Sequence, residues 1–212
     1  MTKTRSVGIF IFPDVEVLDF CGPFEVFSVA GRQIAPGTFD VFTVAQHSGP
    51  LLARNGLEVV PKHAFADSPA IDLLLIPGGQ GTRPLLHDAA VLDWIARQAA
   101  AAELVLSVCT GALLLAKCGA LDGLSATTHR GALELLRELA PKTKIRDDVR
   151  VVDNGRVITS AGVAAGIDMS FHVLARLLGR ETAEATARYI EYPWQPDALG
   201  AASLTPASAG GS

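Results

Sequence analysis

The sequence predicts an α/β domain built on a mostly parallel sheet covered by helices on both faces. Three observations carry that reading. Apolar, β-forming runs alternate with helical stretches through most of the chain. The run Leu104–Ala116 passes from a strand pattern through Ser107-Val108-Cys109-Thr110-Gly111 into an Ala/Leu helix, the signature of a strand, a sharp turn and a helix. With 212 residues, 49% hydrophobic and 19% charged, the chain can bury one large core and is too apolar for disorder.

Taken in order, Val7–Phe12 is a buried strand closed by the turn Pro13-Asp14. A short turn containing Asp19 follows, and a helix is expected from about Pro23, because proline suits a first helical turn. Phe39–Ala45 is the next strand. Leu51–Pro61 holds Arg54-Asn55-Gly56 between apolar flanks, a hairpin signal. Asp72–Pro77 is a central strand running into Gly78-Gly79-Gln80-Gly81. Ala89–Ala102 carries Val91, Leu92, Ile95 and Ala99 on one face, an amphipathic helix. After the Cys109 unit and a turn at Leu121-Asp122-Gly123, Ser125–Thr128 reads as a short strand ending at His129. Gly131–Leu139 is a helix stopped before Pro141. Val149–Asp153 and Arg156–Ser160 flank Asn154-Gly155, a second hairpin, and Gly162–Leu178 and Glu181–Ile190 are helices. Residues 1–192 form a single domain, and 193–212, rich in Pro, Ala, Ser and Gly, is expected to be loosely ordered.

Composition narrows the function classes. A net charge of −4 without a basic block gives no footprint for nucleic acid or an anionic membrane. The longest apolar run is too short to span a bilayer, and Val7–Phe12 is too short for the apolar region of a signal peptide, so none is expected. Three scattered cysteines, Cys21, Cys109 and Cys118, suit neither a disulfide framework nor a zinc site. The expectation is a cytoplasmic protein acting on a small molecule, with no metal and no cofactor. Gly79-Gln80-Gly81-Thr82-Arg83-Pro84 lacks the final glycine of a dinucleotide loop. His47, His63, His87 and His172 show no ligand spacing.

Sites in such sheets form beyond the carboxyl ends of the strands. Three segments belong there: Asp14–Asp19, Gly78–Gly81 and Cys109–Thr110. For an unselected cysteine, core packing is the commoner role. A strand–helix corner favours a nucleophile at Cys109, since the helix dipole promotes the thiolate. Asp19 sits in apolar Val17-Leu18-Asp19-Phe20, where desolvation raises a carboxyl pKa, and it is the acid/base candidate; Glu16 and Glu25 are nearby rivals. Backbone N–H groups of Gly79 and Thr110 are candidates for an oxyanion hole or for positioning water. Gly78, His129 and Cys21 are candidates to line the pocket or orient the thiol, and Cys118 is expected to pack in the core.

Six motifs together resemble the DJ-1/PfpI superfamily over Val7 to about Arg180. They are Phe12-Pro-Asp14, Leu18-Asp-Phe-Cys-Gly-Pro23, Ile76-Pro-Gly-Gly79, Ser107-Val-Cys-Thr-Gly111, Ala126-Thr-Thr-His129 and Thr159-Ser-Ala-Gly162 followed by Ala165-Gly-Ile-Asp168. The resemblance implies a flavodoxin-like three-layer sandwich with a nucleophile elbow at Cys109, and a homodimer. Within the superfamily the chain is most similar to the isonitrile hydratase branch. Thr110 stands where the peptidase-like branch has histidine, and Asp19 where the DJ-1 branch has glutamate. His172-Val173-Leu174 lacks the His-x-Glu of glutamine amidotransferases. The branch implies cofactor-free hydration of an isocyanide through a Cys109 thioimidate. The alternatives are glyoxalase- or deglycase-like chemistry on α-oxoaldehydes, and a non-catalytic ligand or redox sensor like the sensor domains of AraC-type regulators. Those regulators continue into a helix-turn-helix domain, for which the tail here is expected to leave no room.

Overall fold

The computed structural model describes residues 3–195 and the backbone of 202–203. Most of the segment expected to be loosely ordered therefore lies outside the described residues. The central sheet contains β1 (Arg5–Phe10), β2 (Phe39–Ala45), β5 (His63–Ala64), β6 (Leu73–Ile76), β7 (Leu104–Val108), β10 (Val151–Asp153) and β11 (Val157–Ser160). Its order is β10-β11-β7-β6-β1-β2-β5, with the two-residue β12 (Ala202–Ser203) beside β10. All neighbours run parallel except β10 and β11, the hairpin predicted around Asn154-Gly155. Two small ribbons lie outside the sheet: β3 (Leu51–Leu52) with β4 (Glu58–Val59), and β8 (Ser125–Ala126) with β9 (Lys144–Ile145).

Helices cover both faces, as the alternating pattern requires. On one side α1 (Val17–Val29) packs with α6 (Ala165–Leu178) and α7 (Arg180–Tyr189). On the other lie α2 (Thr82–Leu85), α3 (Ala89–Ala101), α4 (Gly111–Lys117) and α5 (Leu133–Leu139). Strands β6 and β7 are buried at every residue, which explains their unbroken apolar runs: in a parallel sheet covered on both sides there is no solvent face to alternate toward. Among the described residues, no helix is long and apolar enough to cross a membrane.

The chain leaves β1 toward β2 on one side and returns through β6 to β7 on the other. The strand order reverses there, and loops leaving adjacent strands on opposite sides of the sheet open a crevice between them. The segments after β1, β6 and β7 all end at this crevice, so the predicted convergence holds.

Two local expectations are corrected and a third is borne out. The first helix begins at Val17, not Pro23, so Asp19 lies in its first turn and Pro23 inside it. Proline at that position removes its own N–H bond to the preceding turn and crowds the carbonyl four residues back. The helix is instead anchored by packing: a Cβ on Gly22 would lie 2.7 Å from Ile167 Cγ1, so the small residue sets the close crossing of α1 and α6. Regular strand ends at Ala126 instead of Thr128, because the Thr127 N–H turns to the Thr159 hydroxyl instead of a ladder partner. The Arg54-Asn55-Gly56 hairpin is present, and Asn55 and Gly56 have φ of 62° and 87° as a tight turn of that hand demands. Its paired strands are only two residues each.

Leu106 is central in β7 and fully buried. Leu106→Ala is expected to lower unfolding stability by about 3 kcal/mol, measured by urea denaturation, since the rigid sheet cannot collapse into the cavity.

Candidate active site

Cys109 occupies the corner between β7 and α4 with φ of 56°, a left-handed conformation that an ordinary side chain adopts only under restraint. The restraint is visible on both sides of the residue. Its N–H is shared between the carbonyls of Ser160 and Ala161, each at 3.2 Å, and its carbonyl accepts the Thr128 hydroxyl at 2.6 Å. On the far side of the corner, a Cβ on Gly111 would lie 2.0 Å from the Ile76 carbonyl oxygen, so glycine lets α4 start directly against β6.

Asp19 is fully buried and its carboxyl lies beside the Cys109 thiol. Its Oδ2 accepts the Gly78 N–H at 2.9 Å, while Oδ1 has no hydrogen-bond partner among the described residues. Burial raises its pKa to about 7, with the Gly78 N–H pulling the other way and the Glu16 charge adding to the rise. The Cys109 thiol is pushed up to about 12, first by burial and then by the Asp19 charge, against stabilisation of the thiolate by the Thr110 and Val163 N–H groups. The two groups are coupled, because a protonated Asp19 no longer opposes ionisation of the thiol. The expected helix-promoted thiolate is thus corrected: α4 spans only seven residues, and at a residue only 6% exposed, burial is the largest influence on the thiol and raises its pKa.

Gly78 is where the three strand ends meet. A Cβ there would stand 2.5 Å from the Thr110 nitrogen and 2.8 Å from Asp19 Oδ2. Gly79 follows with φ of 131°, but its N–H donates to Thr110 Oγ1 at 2.9 Å. The expected pairing of Gly79 and Thr110 N–H groups around a reacting atom is therefore not the arrangement found. The Thr110 N–H does face the sulfur, and its companion is the N–H of Val163, which also faces the Asp19 carboxyl. Val163 has φ of 50°, an outlier for a β-branched residue. Only the glycine-rich stretch before α6 hinted at it; a left-handed valine leaves no signal in a sequence.

The remaining candidates separate. His129 lines the same cleft, but its Nδ1 accepts the Gly131 N–H at 3.1 Å and its ring packs against Gly162, so the structure gives it no bond to the thiol. Cys21 lies outside the cleft wall. The helix explains this: two residues along α1 is a rotation of roughly 200°, so Cys21 faces away when Asp19 faces Cys109. Glu25 lies two turns further along the same helix and is exposed, whereas Glu16 is on the wall. Cys118 packs beside the core and its thiol donates to the Leu92 carbonyl. Among the described residues, no group of three or more His, Cys, Asp or Glu is arranged to hold a metal ion.

The cleft above the sulfur has a volume of about 140 Å³ and is lined by Glu16, Arg54, Gln80, Arg83, Cys109, Thr110, His129 and Val163. Larger cavities exist elsewhere, including one of about 510 Å³ beside Arg130 and Arg150, but neither Cys109 nor Asp19 reaches them. The small cleft is lined by Cys109, whose buried carboxyl partner Asp19 lies behind its wall, and it suits a slender reacting group.

Residues 5–176 match the DJ-1/PfpI family. Isonitrile hydratase from Pseudomonas putida is 36% identical over 191 residues, covering 90% of this chain and 80% of that protein. The HTH-type transcriptional regulator GbdR from Pseudomonas aeruginosa is 25% identical over 188 residues, and there the match spans only 51% of the regulator. A THiJ/PfpI family protein from Pseudomonas syringae superposes with a TM-score of 0.82 at 30% identity, covering 92% of this chain and 78% of that one. DJ-1beta from Drosophila melanogaster gives a TM-score of 0.77 at 22% identity, covering 90% and 100%, a likeness of fold.

Two substitutions test the geometry. Gly78→Ala is expected to lower the melting temperature, measured by a thermal scan, because the methyl displaces either Asp19 or Thr110. A carboxyl whose folded pKa exceeds its unfolded value of about 4 binds its proton more tightly in the native state. Asp19 therefore contributes a loss of stability that develops as pH rises from about 4 to about 7 and is complete above that. Asp19→Asn is expected to stabilise the protein at pH 8 by on the order of 2 kcal/mol and to leave stability at pH 4 nearly unchanged, read from melting curves across pH.

Proposed function

The chain belongs to the DJ-1/PfpI family, and on that premise we propose that it is a cysteine-dependent isonitrile hydratase, converting an isocyanide and water to an N-substituted formamide. The observation that carries the reading is the buried carboxyl of Asp19 coupled to the Cys109 thiol, with Thr110 in place of an adjacent histidine. The similarity to the hydratase from Pseudomonas putida supports it.

An isocyanide needs a nucleophile and a proton at the same terminal carbon. A thiol that keeps its proton beside a carboxyl that titrates near 7 suits that demand. As Sγ approaches the carbon, the Asp19 carboxylate takes the thiol proton and passes it to the carbon lone pair. A sulfur–carbon bond forms, the sulfur–hydrogen bond breaks, and one π pair of the carbon–nitrogen bond moves to nitrogen, leaving the thioimidate R–N=CH–S–Cys109. Water then adds to that carbon, with Asp19 moving one of its protons to nitrogen. The carbon–sulfur bond breaks, the hydroxyl proton returns to sulfur through Asp19, and R–NH–CHO leaves. The Thr110 and Val163 N–H groups lower the energy of negative charge on sulfur in both halves. The high resting pKa of the thiol has a use in this scheme: the thiolate forms only as its proton is handed on, which limits side reactions with other electrophiles.

The strongly raised thiol pKa and the regulator-like relatives favour one second reading, a sensor that binds a ligand without turnover. Assay with p-nitrophenyl isocyanide separates the two. Wild type is expected to release the formamide over many turnovers and to show a mass increase of one substrate on Cys109 when quenched. Cys109→Ala is expected to lose at least about a thousandfold in rate, and Asp19→Asn at least about a hundredfold. Full activity in Cys109→Ser, or faster conversion of methylglyoxal than of the isocyanide, would sink the hydratase assignment.

A further inference from the structure

The reacting end of an isocyanide is small and uncharged, yet the cleft that leads to Cys109 is rimmed by charge. Arg54 and Arg83 face it, with Glu16 on the same wall. Arg83 is oriented by the protein: its Nη1 donates to the Gly79 carbonyl at 3.0 Å and to Thr82 Oγ1 at 3.2 Å. Those bonds fix the guanidinium plane while Nε and Nη2 have no acceptor among the described residues. The side chain of Arg54 meets no acceptor among the described residues either, and neither do its charge and that of Glu16 form an ion pair.

The position of Arg54 is not left to a free loop. Its N–H donates to the Val15 carbonyl at 2.8 Å, the Asp14 N–H donates to the Leu52 carbonyl at 2.9 Å, and Val15 bridges to Gly79. These bonds tie the hairpin to the segments carrying Asp19 and Gly78. Holding two half-buried guanidiniums around one small cleft costs electrostatic energy unless an anion shares it. Glu16 cancels one of the two charges, so the mouth matches a single negative charge. A planar anion with two acceptor oxygens fits the open edge of a guanidinium.

We propose that the cleft recognises a carboxylate at the far end of its substrate, held by Arg83 and Arg54, so that the substrate class is a short-chain isocyanide bearing a carboxylate. This rests on the hydratase reading for the identity of the reacting group but not for the carboxylate site itself. The isocyanide points down to Cys109, the carboxylate outward to the guanidiniums, and the chain between them is short because the cleft is only about 140 Å³.

The test has a binding arm and a turnover arm. In the first, Cys109 is alkylated with iodoacetamide and followed by intact mass, with butanoate or butanamide as competitor. Butanoate is expected to slow alkylation of wild type while butanamide does not, and the protection is expected to vanish in Arg54→Gln and Arg83→Gln and to return in part in Arg83→Lys. Arg54 makes no side-chain bond among the described residues, so Arg54→Gln remains informative even if loss of the Arg83 bonds disturbs the Gly79 loop. In the second arm, kcat/KM for 3-isocyanopropanoate is expected to exceed that for its methyl ester by at least about tenfold, the ratio falling toward one in either variant. Equal protection by the acid and the amide, or protection that survives in both glutamine variants, overturns the proposal. Arginine-dependent protection without turnover of either isocyanide supports the carboxylate site and removes the hydratase reading. Equal turnover of acid and ester without protection by butanoate does the reverse.

Discussion

A carboxyl group stripped of water keeps its proton at a pH where an exposed one has lost it, and a thiol beside it is restrained from ionising by the same burial and by the carboxylate's charge. At Asp19 and Cys109 the two effects act on one another across the junction of three strand ends. Much of the surrounding structure serves to keep that contact dry and close. Gly78 lacks a side chain where one would meet both Asp19 and Thr110; Gly111 lacks one where α4 meets β6; and the strained backbone of Cys109 is held by Ser160, Ala161 and Thr128. The stability given up by burying an ionisable carboxyl is supplied by the unbroken apolar strands β6 and β7 beneath it.

The topology makes this contact possible. Parallel strands whose order reverses between β1 and β6 leave a crevice above their carboxyl ends, and every residue of the coupled pair and its donors comes from a segment at the end of a strand or the start of a helix beside it. The first turn of α1 delivers the carboxyl, the start of α4 the sulfur, and the approach to α6 the Val163 N–H.

Much of this was legible beforehand, and what was not has identifiable causes. Unbroken apolar runs at Leu73–Ile76 and Leu104–Val108, and the turn pairs Asn55-Gly56 and Asn154-Gly155, speak directly of buried parallel strands and hairpins. The corner at Cys109 and the apolar setting of Asp19 were readable because local composition announces them. The start of α1 was not: Pro23 carries a strong local preference for a first turn, and packing of the helix, including Gly22 on Ile167, overrides it. That one displacement decided the fate of Cys21, since helical geometry turns it away from Asp19. Hydrogen bonds between distant segments left no trace either. The diversion of the Gly79 N–H to Thr110, and the arrival of Val163 and Arg54 at the cleft, depend on long-range register alone.

The ribbon of β3 and β4 lies outside the main sheet and exposes Leu52 and Leu57, yet its backbone is bonded to Asp14 and Val15 at the rim of the crevice. Under the proposed function, the reacting groups and one of the two proposed carboxylate-binding arginines, Arg54, therefore reside on parts of the chain under different packing constraints. Asp19 and Cys109 are buried beside strand ends, packed against the sheet, where almost any change disturbs packing. The hairpin side chains project from a two-residue-wide strip attached through main-chain atoms, which any side chain leaves intact. Such a division lets ligand preference drift by substitution at the hairpin tip while the chemistry underneath stays fixed. That is one physical route by which a single fold accumulates many specificities.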